Sequence, residues 1–222
     1  KKATTTIPVV FVGIGDPVEI GVVASLARPG GNITGLANMS SELSGKRLGL
    51  LKESAPKTSS VAVFLNGGNQ GVPNIWQDLE DTARALKLKL YRLDVRSAED
   101  LDIAFHAATK ARANALMPLP DPFINSQMKR IIEFAAKNRL PAIYAGSEFV
   151  DADGLMAYAP NIADQFRRAA VFIDKILKGT KPADLPVERP MRFEFVINLK
   201  TAKQIGLTIP QWTLMKADKV IQ

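Results

Sequence analysis

Polar side chains able to hold a small solute fall, in this chain, where apolar runs give way to turns: Asp16, Asn66, Asn69, Asp121, Tyr144, Glu148 and Tyr158. Carboxylates can pair with an amine, while side-chain amides and phenols donate or accept hydrogen bonds. Most of these residues also have a local role open to them. Asp16 is either offered to a cleft or fixes the turn before Pro17. Asn66 and Asn69 lie in Asn66-Gly67-Gly68-Asn69-Gln70-Gly71, between a strand and a helix, where backbone N–H groups can hold an anion or simply turn the chain. Asp121 can meet a ligand or cap the following helix. Glu148 can recognise an amine or form a hinge salt bridge. Tyr158 faces a cleft or packs in a first lobe, with the cleft favoured, and Asn161 reads as a helix cap.

Catalytic chemistry is harder to assemble. The chain has no cysteine and one histidine, His106, which removes disulfides, thiolate metal sites, cysteine nucleophiles and histidine-pair mechanisms. Asp102 and His106 stand four apart on a helix and make an ordinary surface pair. Trp76, beside the Asn66 loop, packs between helix and sheet or stacks on a ligand, with packing favoured. Gly13-Ile14-Gly15 follows a strand, but no helix opens on it and the next glycine is displaced to Gly21, so no dinucleotide fingerprint forms. No Lys-Ser/Thr pair follows Gly71, which excludes a nucleotide-hydrolysing P-loop. With no triad, carboxylate pair or metal-ligand set, the chain is read as a binding protein without cofactor or metal.

The elements that must position these residues alternate. Among 222 residues, 46% are hydrophobic and 23% charged, with 15 Gly and 14 Pro, a balance typical of globular proteins. The net charge of +7 comes from scattered pairs such as Lys46/Arg47, Lys129/Arg130 and Arg167/Arg168, each read on a polar helix face, so no nucleic-acid partner is expected. No apolar run is long enough to span a membrane, and Lys-Lys-Ala-Thr-Thr-Thr-Ile has no leader-like apolar core.

Apolar runs predict strands over 7–12 and 33–37, then a helix over 42–54. A regular series follows: strand 61–65, helix 75–86, strand 88–95, a helix capped at Ser97 and running to 112, strand 113–117, helix 125–138 and strand 141–145. That alternation means right-handed βαβ units around a parallel sheet. Strand 154–159, a helix from Asn161 to 178 stopped by Gly179, strand 192–199, a short helix from Thr201 and a helix after Pro210 complete the chain. The expected organisation is α/β with two Rossmann-like lobes. Residues 1–45 are the remnant of lobe one, 46–148 form lobe two, and 149–222 return to lobe one. Crossings near 38–45 and 147–153 would act as a hinge.

The sequence also resembles a known family. The motifs that carry the resemblance are Thr4-Thr5-Thr6-Ile7-Pro8-Val9-Val10-Phe11-Val12, Gly15-Asp16-Pro17-Val18-Glu19, Arg28-Pro29-Gly30-Gly31-Asn32-Ile33-Thr34-Gly35 and Gly154-Leu155-Met156-Ala157-Tyr158. The stretch from Ile176 to Val187 and the run Phe193-Glu194-Phe195-Val196-Ile197-Asn198-Leu199-Lys200-Thr201-Ala202 add to it. Together, over essentially the whole chain, they resemble the ABC-importer substrate-binding proteins of the tryptophan/tyrosine type, which have the type I periplasmic-binding fold. The resemblance implies a periplasmic or lipid-anchored protein that captures an amino acid or aromatic compound between two lobes and delivers it to a membrane permease. It also implies that a leader and the first part of lobe one are not in this chain. An incomplete lobe one would expose an edge, so a homodimer through residues 7–37 and 154–200 is expected. A ligand sensor or enzyme on the same scaffold is the alternative.

Overall fold

The computed structural model describes residues 4–38 and 40–222. Residues 1–3 of the expected 1–45 segment, and Met39 within the expected crossing at 38–45, lie outside the described residues. In chain order the elements begin with strands β1 (Val9–Ile14) and β2 (Ile33–Ala37), helix α1 (Ser40–Ser54), β3 (Ser60–Leu65), α2 (Val72–Ala85), β4 (Lys89–Asp94) and α3 (Ala98–Lys110). Then come β5 (Leu116–Pro118), α4 (Pro122–Ser126), α5 (Met128–Lys137), β6 (Ile143–Tyr144), α6 (Glu148–Asp151), β7 (Met156–Pro160) and α7 (Ile162–Leu177). After a 3-10 turn at Pro182–Asp184 follow β8 (Phe193–Asn198), α8 (Leu199–Gln204), α9 (Gln211–Leu214) and β9 (Lys219–Ile221).

The chain divides into two compact units, Lys1–Ser40 with Pro160–Phe193, and Ser41–Ala159 with Glu194–Gln222. In the smaller unit β1 and β2 pair in parallel, with a register shift between Val12 and Ile14. The segment after α7 extends this pair, because Ala37 N–H donates to Glu188 O and Glu188 N–H donates to Gly35 O. Two apolar layers result. Phe11, Val23, Ile33, Ala37 and Val187 pack together in one, and Leu36, Ala169, Phe172 and Leu185 in the other. Asn161 caps α7 as expected, its Oδ1 accepting from Asp164 N–H at 2.7 Å.

In the larger unit β3 stands between β4 and β5, all parallel. Leu116 N–H donates to Pro141 O at 2.9 Å, which carries the sheet on to the order β6-β7-β8-β9. The two apolar faces of this sheet form separate cores. One gathers Leu48, Leu51, Val61, Val63, Leu79, Met117, Met156 and Ile197, the other Ala62, Phe64, Leu101, Ile124, Ile131, Tyr144 and Val196. Helix α3 opens on Ser97, whose hydroxyl accepts from Asp100 N–H, while the Asp100 carboxylate accepts from Arg96 N–H. The expected helix over 125–138 is two helices, because Asp121 and Pro122 start α4 earlier and the chain breaks at Gln127.

The structure corrects the expected organisation. Residues 149–159 and 194–222 belong to the larger unit rather than returning to the first lobe, and the chain passes between units three times instead of twice. The physical reason lies in the strands. β6 has only two residues and leaves its outer edge open for β7, which pairs with it in parallel. β8 is apolar on both sides, with Phe195 and Ile197 entering one core and Val196 the other, so it requires cover on two faces.

Candidate functional site

In an open parallel sheet, ligands sit beyond the carboxyl ends of the strands. At that end of the larger unit β3 leads into Asn66, β4 ends on Asp94, β5 leads into Asp121, β6 leads into Glu148, and β7 carries Tyr158. Hydrogen bonds tie the first three loops together. Asn66 Nδ2 donates to Asp121 Oδ2 at 3.1 Å, and Gly67 N–H donates to Asp94 Oδ1 at 2.8 Å. The Arg96 guanidinium grips the same Asp94 carboxylate at 3.1 Å and holds its pKa below the ordinary value, with the Gly67 N–H adding to the effect and burial opposing it.

Asp121 fulfils its local alternative. It is 7% exposed, and Oδ1 accepts from Phe123 N–H at 2.9 Å and Ile124 N–H at 3.3 Å, capping α4. Its second oxygen holds Asn66, so this carboxylate is a keystone of the strand-end surface. Removing it orphans two helix N–H groups and the Asn66 amide. Asp121→Ala is therefore expected to cost about 2 kcal/mol, lowering the melting temperature by about 4–8 °C. Asp121→Asn, which keeps a capping oxygen, is expected to recover most of that loss. A wild-type melting curve for Asp121→Ala would contradict the cap.

The other expected residues divide. Asn69 is exposed and turns its own loop, Oδ1 accepting from Gly71 N–H at 3.1 Å. Asp16 lies in the smaller unit and fixes its turn, Oδ1 accepting from Val18 N–H at 2.9 Å and Glu19 N–H at 3.1 Å. Tyr144 is a correction: it is 1% exposed, its ring is stacked on Phe149 with centroids 4.6 Å apart, and burial pushes its phenol pKa up. It belongs to the core rather than to a ligand surface. Glu148 is exposed and its carboxylate has no hydrogen bond or ion pair among the described residues. It lies folded back over Gly146, where a Cβ would stand 2.1 Å from Glu148 Oε1, a flexible carboxylate end that can swing aside. Tyr158 is half-buried, and its pKa is raised by burial, opposed by Arg47 and reinforced by Asp218.

Arg47 escaped the sequence reading. Lys46/Arg47 reads as a solvated pair, yet Arg47 is only 2% exposed. Its Nε donates to the Tyr158 carbonyl at 2.7 Å, and its Nη1 is buried with no hydrogen-bond partner among the described residues. Burial pushes its pKa down to about 10, so it still carries its charge at neutral pH. The basic pair gives no signal of this, and neither does Asp94, which lies inside the expected strand 88–95 and ends β4 in the structure. Asp102 pairs with Arg130 at 2.5 Å rather than with His106. Trp76 takes its packing role, with its indole N–H donating to Glu80 at 2.7 Å and the Arg92 guanidinium 5.4 Å from its ring centroid. Among the described residues no group of three His, Cys, Asp or Glu side chains is placed to hold a metal ion, and no helix is long and apolar enough to cross a membrane.

Comparison with known proteins places this geometry. The model of the ABC transporter substrate binding protein family matches residues 1–221. A tyrosine-binding protein of Clostridioides difficile is 25% identical over 206 residues, which are 93% of this chain and 59% of that protein. The chain thus spans less than two thirds of that curated relative. A conserved domain protein from Vibrio cholerae has a crystal structure that matches with a TM-score of 0.90 and 27% identity, over 99% of this chain and 73% of that one. The ABC domain in complex with L-Trp from Streptococcus pneumonia matches with a TM-score of 0.89 and 24% identity, over 99% of this chain and 75% of that one. The parallel α/β architecture is accordingly that of the type I periplasmic-binding proteins. On the match along nearly its whole length, the chain belongs to the ABC transporter substrate-binding protein family, whose members bind solutes rather than transform them.

Proposed function

We propose that this chain is the solute-binding part of an ABC importer that captures an amino acid or aromatic compound and delivers it to a membrane permease, working outside the cytoplasm in the periplasm or on a lipid anchor. The observation that carries the reading is the set of polar groups at the strand ends of the larger unit. Asn66 and Asp121 form a fixed, mutually bonded pair. Glu148 presents a carboxylate with no partner of its own among the described residues, and Tyr158 offers a half-buried aromatic ring. A few oriented polar groups and an aromatic surface are what an amino acid requires, with Glu148 meeting the ammonium group. The tyrosine-binding relative and the L-Trp complex make tyrosine and tryptophan the first solutes to test.

Calorimetric titration with L-tryptophan and L-tyrosine tests the proposal, and indole-3-propionate, which lacks the amine, isolates the role of Glu148. Glu148→Gln is expected to weaken binding of the amino acids by about 10- to 100-fold, the worth of a charge-assisted hydrogen bond. Its effect on indole-3-propionate and on the melting temperature should be negligible, since Glu148 is exposed and supports no other group. Equal affinity of Glu148→Gln and the parent for both amino acids would remove the ammonium assignment. Absence of binding to either would remove these solutes.

A further inference from the structure

We propose that the edge of the larger unit's sheet where its strands begin is a docking surface for an anionic phospholipid membrane. Four segments lead into β3, β4, β5 and β6 along that edge: 55–59, 86–89, 110–115 and 137–142. They carry Lys57, Lys87, Lys89, Lys110, Arg112, Lys137 and Arg139, all exposed, and no Asp or Glu. In the order β4, β3, β5, β6 neighbouring strands stand about 4.8 Å apart, so these cations share a rim about 15 Å wide. It ends at Asp151 and Asp153, ahead of β7. The whole chain has 29 Lys and Arg against 22 Asp and Glu, and without the seven of the rim the two counts are equal. Scattered along the sequence, the charge that is not balanced elsewhere is gathered here by the parallel sheet.

Pairing within the chain does not account for the rim. Among the described residues none of the seven has a carboxylate partner, while Asp81 and Glu53 nearby are held by Arg84 and Lys216. Lys89 lies over the Tyr91 ring, 4.8 Å from its centroid. Cations complement the carbonyls at a helix C-terminus, and Lys110 and Lys137 do so in the last turns of α3 and α5. Lys87, Arg112 and Arg139 stand past the ends of α2, α3 and α5 with φ of +54°, +52° and +53°, where a Cβ is disfavoured. After α7 and α8 the same position is held by glycine, Gly179 and Gly206. The rim thus keeps a cation at three places where the backbone favours glycine.

The rim offers charge and little else. Leu88, Ala113 and Leu140 of these segments are buried, and the side chains of Asn114 and Asn138 are bonded within the chain. A protein partner needs an apolar centre and single-stranded nucleic acid needs stacking rings, and none of the four segments exposes a ring or a large apolar side chain. A leaflet of anionic headgroups asks only for Lys and Arg near its surface. The choice of lipid over duplex DNA rests on the extracytoplasmic placement proposed above. Docking there leaves the solute groups free, since Asn66, Asp121 and Glu148 follow the opposite ends of the same strands.

Cosedimentation with vesicles of equimolar phosphatidylglycerol and phosphatidylcholine, against phosphatidylcholine alone, is the test. The chain is expected to bind only the anionic vesicles and to be released as salt is raised. Lys87→Gly, Arg112→Gly and Arg139→Gly together remove three rim charges and relieve three disfavoured backbone positions. This triple variant should bind about 100-fold more weakly, about fivefold per charge, and still melt near the parent temperature. Lys129→Gln, Arg167→Gln and Lys200→Gln, exposed elsewhere, lower the net charge equally and should weaken binding by less than about tenfold. Whatever affinity the parent shows for L-tryptophan, the glycine variant should share, so failure of docking and failure of solute binding are read separately. No binding to the anionic vesicles, equal losses in the two triple variants, or tighter binding to duplex DNA than to the vesicles at the same salt overturns the proposal.

Discussion

Replacing Tyr144 by alanine is expected to destabilise the larger unit by about 3–5 kcal/mol, the range for removing a fully buried aromatic ring. The side chain is 1% exposed, lies against the backbone of Gly154, and stacks on Phe149 with an interplanar angle of 14°. Truncation would forfeit the transfer free energy of the ring, the stacking contact and the packing around the void. Native proteins hold about 5–15 kcal/mol in all, so that loss is a large share of the total. Denaturant unfolding followed by near-ultraviolet circular dichroism reads the effect. Tyr144→Phe keeps the ring, removes only the hydroxyl, and is expected to change stability by less than about 1 kcal/mol and ligand affinity not at all. Unaltered stability of Tyr144→Ala would return Tyr144 to the ligand-facing set. The pair of variants matters for any alanine scan, because loss of binding in Tyr144→Ala reports unfolding, whereas loss in Glu148→Gln reports contact.

Gly35→Ala is expected to break the pairing of β1 with β2 and to cost about 3 kcal/mol or more, combining backbone strain with overpacking. Gly35 has φ +149°, and a Cβ there would stand 2.1 Å from the carbonyl oxygen of Phe11 and 2.7 Å from its nitrogen. Both atoms are main chain, so no side-chain rotation relieves the clash. Gly35 O also accepts from Glu188 N–H, and any shift of β2 loosens that attachment as well. Hydrogen exchange read residue by residue should show lost protection at Val12 and Ala37, with the amides of β3 in the larger unit unaffected. Native protection at Ala37 in the variant would mean that the backbone accommodates a methyl group at no measurable cost.

Several readings that needed only neighbouring residues hold in the structure, although the helix expected over 125–138 breaks at Gln127. Strand 33–37 is found at its expected limits, Ser97 and Asn161 cap the helices that follow them, and Asp16 ties its own turn. A period of two or 3.6 residues, a capping side chain and a turn residue are all expressed within one turn or one strand, so a linear chain displays them. Asp121 shows the limit of such signals. Its cap is local and legible, but its bond to Asn66 spans 55 residues and has no signature along the chain.

What the linear order of residues determined by itself was the alternation of strands and helices along most of the chain, the caps at Ser97 and Asn161, and the family motifs, whereas α6 and β9 had no signal in it. Tertiary structure alone decided which unit each strand joins and which polar residues are reachable. β8 reads as part of the return to lobe one, whereas the open edge beside β7 and the two cores that receive Phe195, Ile197 and Val196 place it in the larger unit. Arg47 reads as solvated, and it is buried because α1 packs where its Nε can meet a carbonyl 111 residues away. Tyr144 reads as a strand-end ligand residue, and the return of the chain through Phe149 and Gly154 encloses it. Burial is a property of what the rest of the chain brings to a residue, and contacts distant in sequence leave no periodic trace around it.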